Sequence, residues 1–209
     1  MSSVRTVPAA ASAVPAVPAA LSVPAGSVTT NRITVLDPTA GIDDRVDDPG
    51  PDAGPLAGRT VGFRVDVLWP SWDWVVDEWT AQLAAGGAAV RTFRRVQGLS
   101  GNEGAEADVD YQQFLSDIHF AIVGLGNCGS CTSWTVKDAT RAADTGLPTV
   151  AVVTEQFTSL AETLARHYGR PGLRTFSLPF PLQTRPEQEV RTIARDAFPA
   201  LLDLLGATR

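Results

Sequence analysis

Strand-like apolar segments alternate with helix-like segments from about residue 61 to the end of this 209-residue chain. The pattern predicts five strands, at residues 61–69, 88–96, 118–126, 147–154 and 173–181, each followed by a helical segment. The third, IHFAIVGLG, is the most continuously apolar, as is typical of a parallel strand covered on both faces. Because crossovers between parallel strands are right-handed, the alternation predicts an α/β three-layer sandwich whose five-stranded parallel sheet has the flavodoxin-like order 2-1-3-4-5.

Helix signals follow each strand. The pattern predicts a helix over 73–87 with Asp73 as its N-cap, a short helix around 108–117, and helices over 133–146, 155–169 and 185–206. In the order 2-1-3-4-5, ligands bind beyond the carboxyl ends of the first and third strands. The loops that meet there are WPSWD at 69–73 and GNCGSC at 126–131.

Composition divides the chain into three parts. Residues 1–31 are rich in Ala, Pro, Ser and Val, and we interpret them as a disordered arm rather than a signal peptide, because prolines recur every few residues. Residues 32–55 are predicted to form an extended segment and an acidic Pro/Gly linker on the surface. The α/β domain is predicted to span residues 56–209.

Charge and hydropathy exclude two classes of partner. The formal net charge is −6 and the sequence pI is about 4.9, so we expect no nucleic-acid partner. No apolar run approaches the roughly 18 residues that span a bilayer, so we expect no membrane partner.

Both cysteines of the chain lie in GLGNCGSCTSW, between a glycine-rich strand end and the start of a helix. A C-x-x-C pair closes too small a loop to stabilise a large fold, and reduced thiols in a cytoplasm fit it better. Amide dipoles at a helix N-terminus favour a thiolate, and the spacing lets one sulfur attack a substrate while the other resolves the adduct as a disulfide. Cys128 and Cys131 are therefore the candidate catalytic residues.

The candidate substrate-binding residues surround this pair on the same edge of the sheet. Glycines allow close approach of the backbone, hydroxyls cap the helix or donate hydrogen bonds, and the first and fourth strands contribute side chains at their ends. For Trp69 and Trp72 a pocket wall and core packing are equally open, and Glu155 fits a helix-terminal charge as well as a catalytic acid. The set is Gly126, Asn127, Gly129, Ser130, Thr132, Ser133, Asp66, Trp69, Trp72, Thr154 and Glu155.

Other readings of the motif stay open. The thiols could be small buried hydrophobes, and a zinc site would need His119 or His167 to complete it because there is no second C-x-x-C. His119 itself is predicted to be a hydrogen-bonded core residue. GLGNCG is not a dinucleotide loop, since it follows the third strand rather than the first, and we expect no metal and no cofactor.

The run DIHFAIVGLGNCGSCTSWTVKDA, followed by GLPTVAVVTEQF, resembles the UGSC family of selenoproteins and their cysteine homologues. The likeness extends from about Ile33 to the C-terminus. The resemblance implies that Cys128 stands at the selenocysteine position, that Gly129, Ser130 and Cys131 complete the motif, and that Asp138 matches the helical aspartate. It also implies a distant relationship to the selenoprotein B component of glycine, sarcosine and betaine reductases.

These observations lead to two hypotheses. In the first, the protein is a thiol-dependent reductase or lyase: Cys128 attacks an electrophilic small-molecule substrate, Cys131 resolves the adduct to a disulfide, and an external thiol reductant restores both. In the second, it is a noncatalytic or shared-site subunit that presents the motif loop to a partner chain, in a homo- or hetero-oligomer.

Overall fold

A five-stranded parallel sheet forms the centre of the computed structural model, which describes residues 47–209. Its strands lie in the order β3 (Ala89–Arg95), β2 (Thr60–Asp66), β4 (Phe120–Gly126), β5 (Thr149–Thr154) and β6 (Arg174–Leu178). All four neighbouring pairs are parallel. Numbered by their sequence among these five, the strands have the order 2-1-3-4-5, so the predicted flavodoxin-like arrangement is confirmed.

Helices cover both faces of the sheet. On one face, α1 (Pro70–Ala85) and α5 (Glu187–Leu205) bury Trp79, Leu83 and Phe198 in one core cluster. On the other face, α2 (Gly101–Ser116), α3 (Gly129–Asp144) and α4 (Thr158–His167) bury a second cluster that includes Phe114 and Val136. Every residue of β4 is buried, as its apolar sequence predicts for the central strand. The protein has three layers because each set of helices buries its apolar side chains against one face of the same sheet.

Four predicted element boundaries are wrong. The first strand ends at Asp66 rather than 69, and α1 then begins at Pro70, not at Asp73, because proline's fixed φ and missing N–H suit the first helical position. Helix α2 begins at Gly101, well before the predicted start near 108, because its first two turns are polar and largely exposed and so carry no apolar signal. Helix α3 begins at Gly129 rather than 133.

The fourth and fifth helices deviate less from their predicted positions. A 3₁₀ turn, Glu155–Phe157, precedes α4, and Pro186 is the residue just before α5. The predicted strands all begin or end within a few residues of those observed.

A second, two-stranded sheet lies outside the predicted pattern. β1 (Gly54–Pro55) pairs in parallel with β7 (Ala207–Thr208) after the last helix. The buried Arg174 guanidinium donates hydrogen bonds to the carbonyl oxygens of residues 49, 50 and 51 and to the Asp52 carboxylate. Residues 49–55, which the sequence places in a linker, are thus bound to the sheet and to the C-terminus.

The predicted arm at 1–31 and the extended segment that begins at residue 32 lie outside the described residues up to residue 46. Within residues 47–209, none of the helices is both long enough and apolar enough to cross a bilayer.

Candidate functional site

The motif loop connects β4 to α3 at the carboxyl edge of the sheet. Strand β4 ends at Gly126, Asn127 follows, and Cys128 is the N-cap residue of α3. The Cys128 Sγ accepts a hydrogen bond of 3.2 Å from the Cys131 backbone N–H. The Cys128 carbonyl oxygen accepts a second pair of bonds, from the Thr132 N–H and the Thr132 Oγ1. A sulfur atom therefore takes the position that a serine or aspartate oxygen takes in most helix caps.

The two cysteines form a disulfide with a Cα–Cα distance of 5.1 Å. They differ in exposure: Cys131 is completely buried, whereas Cys128 is only partly covered, and Gly129 and Ser130 between them are exposed. The Ser130 Oγ lies 3.5 Å from the Cys128 Sγ. An incoming reactant can therefore approach Cys128 from solvent, while Cys131 lies behind it. The structure contains the oxidised pair, whereas the C-x-x-C spacing in the sequence favours reduced thiols.

Close packing of Gly126 against β5 and α3 fixes the start of the motif loop. A Cβ atom added at Gly126 would lie 2.7 Å from Val153 Cγ1 and 3.2 Å from the Thr132 Cα. The first distance is shorter than real Cβ contacts and the second is tighter than most of them, so glycine lets the first turn of α3 approach β5 this closely. Gly126 is buried, so its role is to allow this close packing and not to contact a substrate. Gly129, by contrast, has no atom within 4 Å of such a Cβ.

A hydrogen-bonded chain of three side chains fixes Asn127. The buried Thr154 donates from Oγ1 to Asn127 Oδ1 at 3.0 Å, and Asn127 Nδ2 donates to Gln183 Oε1 at 2.8 Å. Asn127 and Thr154 are both buried. Thr154 at the end of β5 and Gln183 after β6 thus support the loop through Asn127, and the two predicted site residues, Asn127 and Thr154, do not present polar groups to solvent. Gln183 was missed, because nothing local distinguishes it from other loop glutamines.

The first loop contributes packing and one buried carboxylate. Asp66 is completely buried at the end of β2 and accepts hydrogen bonds from the Leu68 N–H, the Leu125 N–H and Gln97 Nε2. It thus joins the loops after β2 and β3 to the end of β4. Burial raises the pKa of Asp66, although these backbone bonds and Arg64 act in the opposite direction.

Trp69, just before α1, and Trp72, in its first turn, both pack against the hydrophobic core. Trp72 is completely buried, stacks edge-on against Phe63 and Trp79, and contacts Gly124, where an added Cβ would lie 2.5 Å from its ring. Trp69 is half-buried against the same core cluster. Of the two alternatives left open by the sequence, core packing describes Trp72.

Two further predicted residues, Ser133 and Glu155, lie on α3 and directly after β5. The Ser133 Oγ contacts the Tyr168 Oη at 3.3 Å, which joins α3 to the end of α4. Glu155 is exposed at the first position of the 3₁₀ turn, and its side chain makes no hydrogen bond or ion pair with the described residues. This position matches the helix-terminal charge that was one of its two interpretations.

Histidine does not complete a site with the sulfurs. His119 is exposed at the opposite edge of the sheet, where its Nδ1 accepts a hydrogen bond from the Thr60 N–H. The prediction that it is a core residue is therefore wrong, although its hydrogen bond is present; it precedes β4 rather than lying within it. Among residues 47–209, no three His, Cys, Asp or Glu side chains are arranged to hold a metal ion.

A buried ionic cluster fixes α3 to the sheet. Arg64, within β2, donates from Nε to Asp138 Oδ2 at 2.9 Å, and both side chains are completely buried. Arg95, at the end of β3, lies 3.5 Å from the other carboxylate oxygen of Asp138 and also contacts Asp108 on α2. Arg141 binds Asp108 with two hydrogen bonds. These contacts with Arg141 and Arg95 lower the pKa of Asp108 to about 2.

This ionic cluster (Arg64, Arg95, Asp108, Asp138 and Arg141) explains the position of Asp138. Ten residues separate Asp138 from Cys128, so roughly 15 Å of helix lies between them and Asp138 cannot act on the sulfur. It positions the helix that carries the sulfur. The sequence contains a signal for this buried ion pair, since Arg64 lies within an apolar strand, VGFRVDV, and a buried arginine implies a buried counter-ion.

Together, the sheet order, the loop at the switch point and the oxidised C-x-x-C pair define a flavodoxin-like α/β protein with a disulfide at the N-terminus of its central helix. The UGSC family model matches residues 34–207, and the chain belongs to the UGSC family. None of the curated proteins compared with the chain matches it.

Proposed function

We propose that the protein is a thiol-dependent reductase that uses Cys128 as nucleophile and Cys131 as resolving residue. One observation carries this proposal: a partly exposed sulfur caps α3 and accepts an N–H from the residue that bears the second, completely buried sulfur. The same N–H would stabilise a Cys128 thiolate once the disulfide is reduced. The buried Cys131 can reach only the Cys128 sulfur.

The cycle balances in atoms and electrons. The Cys128 thiolate attacks an electrophilic atom of the substrate and expels a leaving group, which departs with its bonding electrons and takes a proton. The Cys131 thiolate then attacks the Cys128 sulfur, the disulfide forms, and the released fragment takes the electron pair and a proton. The substrate gains two electrons and two protons, and a dithiol reductant supplies them again by thiol–disulfide exchange.

Alkylation of single-cysteine variants tests the division of roles. After reduction, Cys131→Ser retains Cys128 and Cys128→Ser retains Cys131, and each is treated with iodoacetamide across pH 5 to 9 and followed by intact mass. We expect Cys128 to react at least about a hundredfold faster than Cys131, because only Cys128 is accessible and held against an amide N–H. Circular dichroism and melting curves of both variants control for folding.

Two results would contradict the proposal in different ways. If Cys131 reacts faster at every pH, the roles are reversed. If neither thiol reacts without denaturant, both are structural and the reductase proposal fails. A second experiment identifies the substrate: Cys131→Ser, which cannot resolve an adduct, is exposed to cell extract and the mass trapped on Cys128 is determined.

A shared-site subunit is the second candidate, and one feature favours it. Four large apolar side chains are exposed at the carboxyl edge of the sheet or just beyond it: Val67, Leu68, Val96 and Phe180. No charged side chain of residues 47–209 forms a hydrogen bond with either sulfur, so an acid or base would have to come from substrate, solvent or another chain. Sedimentation analysis at micromolar concentration, with Leu68→Asp as a variant, tests whether this edge is an interface.

A further inference from the structure

A cleft of about 280 Å³ lies beside α3, separate from the sulfurs. Its walls come from the end of β3, the first turns of α2 and the middle of α3; the residues that carry the argument are Arg95, Ser100, Gly101, Asp108, Trp134 and Lys137. The volume lies just below the range of sites for drug-sized ligands, so it suits one functional group of a larger molecule.

One positive charge at the cleft has no carboxylate partner among the described residues. Lys137 is the only lysine of the chain, and no carboxylate of residues 47–209 lies within 4 Å of its ammonium group, which instead lies 4.9 Å from the centre of the Trp134 ring. Arg95 is about 95% buried, and its Nη1, which lies 3.5 Å from the Asp138 carboxylate, makes no hydrogen bond. Asp108 is the one carboxylate that lines the cleft, and Arg95 and Arg141 already share it.

The N-terminus of α2 faces the same space. This helix is 16 residues long, and its N-cap residue Ser100 makes no side-chain cap hydrogen bond. Its first-turn amides therefore lack a side-chain acceptor, and the helix dipole places partial positive charge there. A carboxylate or phosphate group would accept from these amides and pair with Lys137.

The cleft lies on the same side of α3 as the exposed end of the motif. Ser130, Trp134, Lys137 and Arg141 are spaced at positions that share one helix face, and the Ser130 Oγ contacts the Cys128 sulfur. Nine residues from Cys128 to Lys137 span roughly 13 Å of helix axis, and the lysine side chain leans back toward the N-terminus. One elongated molecule can therefore reach both positions.

We propose that this cleft binds the anionic group, a carboxylate or a phosphate, of the substrate whose electrophilic centre reaches Cys128. The assignment of this anion as part of a substrate rests on the proposed reductase function. Binding of an anion to the cleft does not, and the two are tested separately.

Binding is tested on the oxidised protein, in which no thiol can react. Inorganic phosphate is titrated at constant ionic strength while the amide NMR signals of Gly101 and Gly104 are followed. We expect saturable shifts in the wild type, a dissociation constant at least about tenfold higher in Lys137→Gln, and no change in Arg166→Gln, which removes an equal charge from an exposed position on α4. Shifts that do not saturate, or equal weakening in both variants, would overturn the proposal.

The link to Cys128 is tested on the reduced protein. N-bromoacetyl-6-aminohexanoate and the uncharged N-hexyl bromoacetamide both place a CH₂Br group for displacement of bromide by the Cys128 sulfur, but only the first carries a carboxylate. We expect the anionic reagent to react at least about tenfold faster in the wild type and in Arg166→Gln, to saturate, and to be inhibited by phosphate. In Lys137→Gln the two rates should become equal.

The outcomes separate the two proposals. If phosphate binds as described but neither reagent alkylates Cys128, the cleft is an anion site and the reductase proposal fails. If both reagents react at equal rates in the wild type, Cys128 is a reactive thiol and the assignment of an anionic substrate is wrong.

Discussion

Replacement of Asp138 by asparagine should destabilise the domain strongly, because it removes the one carboxylate that is hydrogen-bonded to the buried Arg64 and leaves only Asp66, 4.0 Å away, to balance its charge. Both side chains are completely buried, and the Asp138 carboxylate is the only anion within hydrogen-bonding distance of Arg64 among the described residues. Removal of one partner from a buried pair costs about 3–5 kcal/mol. The asparagine oxygen can still accept from Arg64 Nε, so we expect a loss near the lower limit, about 3 kcal/mol.

The assay is thermal unfolding at pH 7 under oxidising conditions. In a domain of this size 1 kcal/mol corresponds to about 2–4 °C, so Asp138→Asn should lower the Tm by about 9 °C. Asp144→Asn is the matched control: it lies on the same helix, its side chain is 60% exposed, and its ion pair with Arg170 should contribute less than about 1 kcal/mol.

A double variant identifies the cause. Arg64→Met combined with Asp138→Leu removes both charges and fills similar volume, so it should be more stable than Asp138→Asn alone. If Asp138→Asn lies within 2 °C of Asp144→Asn, the buried pair does not carry this free energy. If the double variant is as unstable as Asp138→Asn, the uncompensated charge is not the reason for the loss.

Three further predictions follow from particular contacts. Gly126→Ala should lower the free energy of unfolding by about 1–3 kcal/mol, because its Cβ would overlap Val153 and the backbone of α3, whereas Gly129→Ala should have almost no effect; chemical denaturation of both variants measures the difference. Asp108→Asn should destabilise the protein by about 1 kcal/mol at pH 7, after allowance for the 41% exposure of the Asp108 side chain. Because the pKa of Asp108 is lowered in the folded state, the difference in stability from wild type should disappear as the pH falls from about 4 to 2. A constant difference down to pH 2 would show that charge is not the cause. Arg174→Met should release residues 49–52 and so accelerate proteolysis before residue 55, with cleavage elsewhere unchanged.

Local sequence determined the order of elements and the position of the motif. Continuous apolar runs such as residues 118–126 indicate buried parallel strands when helical segments lie between them. Right-handed crossovers then leave few arrangements, among which the order 2-1-3-4-5 is predicted. Because carboxyl ends of parallel strands share one edge, the position of Cys128 after the third strand follows from the same pattern. The N-terminal location of both cysteines on α3 needed no tertiary information.

Tertiary structure decided where the helices begin, which site residues are exposed, and which charges pair. The early turns of α2 contain two glycines and an asparagine, which have weak helix propensity, and they lack an apolar face. Packing of Tyr111 and Phe114 further along therefore stabilises a helix whose first residues give no sequence signal. Asn127 and Thr154 have the composition of a binding site but bond to each other beneath the loop. Pairs such as β1 with β7 join residues about 150 positions apart in the chain, and the cleft at Lys137 combines three separate elements. No local pattern encodes such contacts, because they exist only once the chain has closed on its sheet.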